Sequence, residues 1–166
     1  GQLAPATENQ PSPFTRHGPT IKGAIKPELV AMGGNLASPI RTGNELNAVM
    51  RGMGVLTCNS RFVGNTLFSE ISGTSFAAPY ITHLAGRLLN NYPKASANLL
   101  RALLVNHANM LSEIESSFPE DMKKSYRSAN GRDAFRDIAG YGAVDDQIET
   151  SKTTEIFEKT VEYLDA

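Results

Sequence analysis

Cysteine is nearly absent from this chain. Cys58 stands alone, so no disulfide can form within it. A lone thiol with no partner motif is expected to act as a small buried hydrophobe. It permits a reducing compartment without requiring one. Long apolar runs are missing as well: none approaches the ~20 residues that span a bilayer, so no membrane partner is expected. Neither sign of charge dominates. Sixteen Lys and Arg against seventeen Asp and Glu leave a net charge of −1, which gives no reason to expect nucleic acid or an anionic surface. No leader pattern opens the chain at Gly1-Gln2-Leu3-Ala4-Pro5. Histidine is scarce: His17, His83 and His107 are the three.

What remains is ordinary for a globular protein. The 166 residues suit one domain, with 40% hydrophobic and 20% charged residues. The organising stretch is Ile71-Ser72-Gly73-Thr74-Ser75-Phe76-Ala77-Ala78-Pro79. Glycine, hydroxyls and small residues run straight into a helical pattern from Pro79 to Asn90. Unpartnered N–H groups collect at such a helix start, and its dipole favours negative charge. A serine there has the setting of a nucleophile beside a developing oxyanion. It also has the setting of an N-cap. From these residues alone both readings stand.

The chain on either side reads as follows. Residues 1 to 24, rich in Pro, Gly, Thr and Asn, read as loop. Leu29-Val30-Ala31, bounded by Pro27 and Gly33-Gly34, reads as a short buried strand. Residues 38 to 54 read as a long surface loop with a hairpin into Val55–Asn59, and Thr66–Ile71 as an extended approach to Ser75. Ala77, Ala78, Ile81, Leu84, Ala85, Leu88 and Leu89 form a core-facing stripe, with Pro79 placed in the first turn. A second helix begins at a Ser96 cap and carries Leu99, Leu100, Leu103, Leu104 and Val105. Residues 112 to 137 read as a charged, irregular solvated face or an insertion. Glu113, Glu115 and Asp121 there show no metal-ligand spacing, so no metal and no cofactor are expected. The tail from Asp145 to Ala166 favours helix over strand.

A serine hydroxyl needs a base within reach, held in turn by a carboxylate. His83 lies on the same helix as Ser75, ~12 Å along its axis, and cannot reach the hydroxyl. His107 reads as a helix-end cation and His17 as part of a turn before Gly18-Pro19. An α/β-hydrolase would want an acid and then a histidine after the nucleophile. No Asp or Glu lies between Ser75 and His107, which counts against it.

Four segments, in order, resemble the subtilisin-like serine peptidases. Gly73-Thr74-Ser75-Phe76-Ala77-Ala78-Pro79 resembles that family's G-T-S-x-A-x-P signature. Ser12-Pro13-Phe14-Thr15-Arg16-His17-Gly18-Pro19 is similar to its S-x-F-S-x-x-G-P loop. Ile25-Lys26-Pro27-Glu28-Leu29-Val30-Ala31-Met32-Gly33-Gly34 is similar to K-P-D-[IV]-x-A-P-G, and Gly140-Tyr141-Gly142-Ala143-Val144 to G-x-G-x-[VI]. Glu28, Met32, Tyr80 and His83 depart from the usual residues, and the pocket wall near Met32 is expected to differ.

The resemblance implies an α/β fold: the C-terminal part of a three-layer α/β/α domain with a mostly parallel sheet. Residues 12–145 are matched, and 146–166 form an extension. It implies Ser75 as nucleophile and backbone oxyanion donor, with Gly73 and Thr74 flanking a scissile peptide bond. The family's Asp, His and oxyanion Asn precede this stretch; Asn9 lies too close to Phe14 to be that Asn. The expected partners are a peptide or protein substrate, a missing N-terminal half, and a second copy through exposed sheet or core surface. The piece alone is expected to be inactive. A pseudoprotease or interaction domain on the same scaffold is the alternative, and a plain α/β domain with a capped helix is a further one. Many relatives are secreted, so the compartment stays open between secreted and cytoplasmic.

Overall fold

The computed structural model describes residues 2–39 and 51–148. The expected loop at 40–50 and helix at 149–166 lie outside the described residues. Two helices carry the main core. α1 spans Thr74–Asn91 and α2 spans Ala97–His107. Their apolar stripes face each other, so Leu84 and Leu88 pack with Leu103 and Leu104. Val144 and Ile148, after the last helix, complete this cluster. Leu84, Leu88 and Ile148 are fully buried, and each such side chain contributes about 1.5–3 kcal/mol of hydrophobic stabilisation.

α2 begins where Ser96 accepts a hydrogen bond from the Leu99 amide, the cap expected from sequence. α1 begins earlier than its apolar pattern implied, at Thr74. Pro79 is therefore its sixth residue and lies beyond the first turn. Lacking an N–H, it leaves the Ser75 carbonyl without its i+4 donor.

Residues 112–137 are not irregular. They form α3 (Ser112–Ser116), α4 (Glu120–Asn130) and the start of α5 (Ala134–Ala139). Glu120 and Asp121 favour the first turn of α4, and Gly131, at φ +70°, ends it in the left-handed conformation. Ile114, Phe135 and Ala139 form a second cluster with Val30, Met110, Leu111 and Phe118 against it. Asp137 is buried within α5, where it accepts from Arg132 Nε at 2.9 Å and from the Tyr126 hydroxyl at 2.5 Å. Glu113, set aside as a metal ligand, accepts from Asn9 and Ser112.

The described sheets are two antiparallel pairs: β1 (Gln2–Leu3) with β2 (Ser38–Pro39), and β3 (Val55–Cys58) with β4 (Phe68–Ile71). The hairpin entered at Val55 thus runs forward into the approach to Ser75. Leu29–Ala31 is half-buried and forms no strand among the described residues. Its pairing is one parallel bridge, Val30 to Ala143, and Ala143 is bridged on its other side to Asn109. Within residues 2–24 the loop reading holds, apart from β1 and a 3₁₀ turn at Ile21–Gly23.

The hairpin also corrects the reading of Cys58, which is exposed. Burial alternates along β3, so Val55 and Thr57 turn toward the body while Leu56 and Cys58 turn out. Phe68, paired with Cys58, is exposed with them.

Candidate active site

Three backbone segments meet under the serine turn. The Gly73 amide donates to Gly33 O at 2.7 Å, and the Asn35 amide to Met53 O at 2.6 Å. Ser72 Oγ donates to Asn35 O at 2.6 Å, joining the turn to the 33–35 segment a second time. Asn35 in turn donates through its side chain to Ala6 O, and Ser12 Oγ to Gly34 O. Such close approach needs residues without Cβ. A Cβ at Gly33 would lie 3.1 Å from Gly73 O, and one at Gly34 would lie 2.6 Å from Ser72 Oγ.

This frame delivers Ser75 as the second residue of α1, on the surface. Gly73 is the N-cap and has no side chain to cap with; its φ of 162° is extended backbone. The cap reading of Ser75 therefore does not hold: the residue lies inside the helix. Its hydroxyl has no hydrogen-bond partner among the described residues. The first amides of α1 have no intrahelical acceptor, although that of Phe76 turns back to Gly73 O at 3.1 Å. Thr74 is exposed beside Ser75, and Gly73 is half-buried. Ser75 thus presents an exposed hydroxyl at the positive end of an 18-residue helix, where the dipole favours negative charge.

No histidine reaches that hydroxyl among the described residues. His83 is exposed two turns further along α1. His17 Nδ1 lies 2.6 Å from Gly18 O. His107, at the end of α2, makes a contact that the sequence did not reveal: its Nε2 lies 2.9 Å from Asp145 Oδ1. The Gln147 amide donates to the same oxygen. The His107 hydrogen bond, followed by that amide, holds the Asp145 carboxyl below the usual aspartate range. Next to it, the Tyr80 hydroxyl donates to Asp146 Oδ1 at 2.7 Å. That bond, with partial burial, pushes the Tyr80 phenol above its ordinary value. Tyr80 and His107 are thus tied to Asp146 and Asp145, just after Val144, and take no part in the serine turn.

Ser72 and Asn35 are the members of the site that sequence reasoning missed. Their partners are main-chain carbonyls, which leave no mark in a residue pattern.

The Subtilase family model of peptidase S8 matches residues 2–142. An uncharacterized protein, y4bN, of Sinorhizobium fredii (strain NBRC 101917 / NGR234) is 38% identical over 142 residues. That alignment takes in 82% of this chain and 30% of the relative, so the chain spans less than a third of the length of the curated relative it matches. No solved structure matches the chain. With a family match across most of the sequence, and its serine signature on an exposed helix start, this chain belongs to the subtilase family.

Proposed function

We propose that Ser75 is the nucleophile of a serine endopeptidase, and that these 166 residues are the C-terminal portion of its catalytic domain. The observation that carries the reading is the exposed, uncapped Ser75 hydroxyl at the start of α1. In this reading Ser75 Oγ attacks the carbonyl carbon of a peptide bond, and the amine leaves with a proton supplied by a histidine. Water then cleaves the acyl-enzyme ester and restores the hydroxyl. The Ser75 amide supports the oxyanion, and Gly73 and Thr74 flank the bond being cut.

The acid, the histidine and a side-chain oxyanion donor come from outside this stretch, in the remainder of a larger domain. The short share of the relative that the chain spans favours this. So does α1 itself. Ala78, Thr82 and Gly86 form an exposed face of small residues, and a Cβ at Gly86 would meet open space. A helix in the middle of a three-layer domain with a parallel sheet would have that face covered. Without its remainder the chain would be inactive, and its open surfaces would favour self-association.

A fluorophosphonate probe tests both halves. The complete coding sequence should yield a protein labelled at Ser75 that cleaves unfolded protein, and Ser75→Ala should abolish both. The 166-residue chain alone should stay unlabelled, because without the base the hydroxyl is a weak nucleophile. An unlabelled complete protein would favour the pseudoprotease alternative, a scaffold that binds polypeptide without cutting it.

A further inference from the structure

We propose that the β3–β4 hairpin is a dimerisation arm, laid antiparallel against the same arm of a second copy of this chain. The inference narrows the self-association expected of open surfaces to one named surface. It does not depend on whether Ser75 cuts peptides.

The arm stands clear of the core. Every residue from Ser60 to Phe68 is exposed, and neither apolar cluster of the described residues takes in a residue of β3 or β4. What the arm shows to water is apolar. Leu56 and Phe68 lie on its outer face, while Phe62, Val63 and Leu67 gather at its end, each more than half exposed. Together these five leave on the order of 600 Å² of accessible surface, the upper limit for the largest apolar patch of an ordinary monomer. With the strand backbone between them, the arm comes near the ~800 Å² that each partner gives to a standard interface. A two-stranded hairpin is also marginal alone in water and gains when its open face is covered.

Charge selects the occupant. From Val55 to Ser69 the chain carries one charged residue, Arg61, at the turn. Glu70 stands at the root of the arm, directly across from Leu56 and so on the same outer face. It is held there by the Gly52 amide and, at 3.4 Å, by the Gly54 amide. The arm thus has a cation at its tip, an anion at its root and apolar side chains between. A two-fold axis through its middle, near Cys58 and Phe68, lays the tip of each arm over the root of the other. Each Arg61 then meets the second copy's Glu70, and the apolar side chains cover one another. A parallel arrangement would set like charges together at both ends. A contact in which one patch meets itself closes at two copies and builds no fibre.

Light scattering after gel filtration tests this on the protein from the complete coding sequence and on the 166-residue chain. Both should have the mass of two copies, and raising the concentration should not increase it further. Leu56→Glu combined with Phe68→Glu should halve that mass. In the 166-residue chain, Ala78→Glu on the exposed small face of α1 should leave it at two copies. Arg61→Glu sets acid against the second copy's Glu70 and should weaken the dimer about three- to ten-fold. A single-copy mass for either protein overturns the proposal; for the complete protein it would mean that the remainder covers the arm. A mass that keeps growing with concentration overturns it too. So does a dimer indifferent to the paired variant or to Arg61→Glu. If the paired variant does not fold, alkylation of Cys58 by iodoacetamide in the unaltered chain takes its place. The rate should fall several-fold as the mass doubles, and an unchanged rate overturns the arm.

Discussion

Gly34 shows how tightly the serine turn is held. Its φ is +84°, and a Cβ there would meet Ser72 Oγ at 2.6 Å and Met53 O at 3.0 Å. Any side chain would be strained by its backbone angle and would also wedge apart the segments at 33–35, 53–54 and 71–73. Gly34→Ala should lower stability by about 1–3 kcal/mol, read as a fall in the thermal midpoint. Gly86→Ala, in open space on a helix, should do the reverse by about 0.5–1 kcal/mol. At this scale the sequence was half legible. Ser75 could be singled out because its neighbours form a recognisable string. Ser72 could not, because a hydroxyl bonded to a distant carbonyl looks like any other serine. Cys58 misled because a thiol is usually interior, and nothing in Val55-Leu56-Thr57-Cys58 says which side of a two-stranded hairpin is covered.

Among the elements, α2 was the most legible, since Ser96 and the leucine spacing mark its start and its face. Ser96→Ala removes the acceptor for the Leu99 amide and should cost about 1 kcal/mol; Ser96→Asp should retain most of it. Thermal unfolding of the two variants checks the order. α4 was legible in principle. Pro119 precedes Glu120 and Asp121, and Gly131 follows the last turn. Charged residues outnumber apolar ones along α4, and its sparse stripe of Met122, Tyr126 and Ala129 buries no residue. The strand reading at Leu29–Ala31 failed for a different reason. Strands need neighbours, and here the pairing shrinks to the single bridge at Val30.

For the molecule as a whole, pH acts through carboxylates tied to cations across long stretches of chain. Burial pushes Glu28 up, but hydrogen bonds from Lys26 and Arg101, and their charges, outweigh it and hold its carboxyl below the ordinary value. Arg101 lies on α2, so this pair fastens the 26–28 segment to the helical core. Asp145 is depressed in the same direction by His107. A carboxyl with a folded-state pKa below its unfolded value stabilises the fold above the unfolded value. That contribution disappears as pH falls through the folded one. Thermal midpoints measured from about pH 6 downward should therefore fall once the ordinary carboxylate range near 4 is passed. Glu28→Gln should flatten that fall. A fall of equal steepness in the variant would show that other carboxylates govern it.

The outward placing of Cys58 has a practical side. It is the chain's one sulfhydryl, and it stands across from Phe68 on a ribbon of two strands that leads directly to Ser75. A dye coupled there by maleimide chemistry would be a reporter at a single known address. Its emission would shift when polypeptide, or a companion subunit, came to rest on that ribbon.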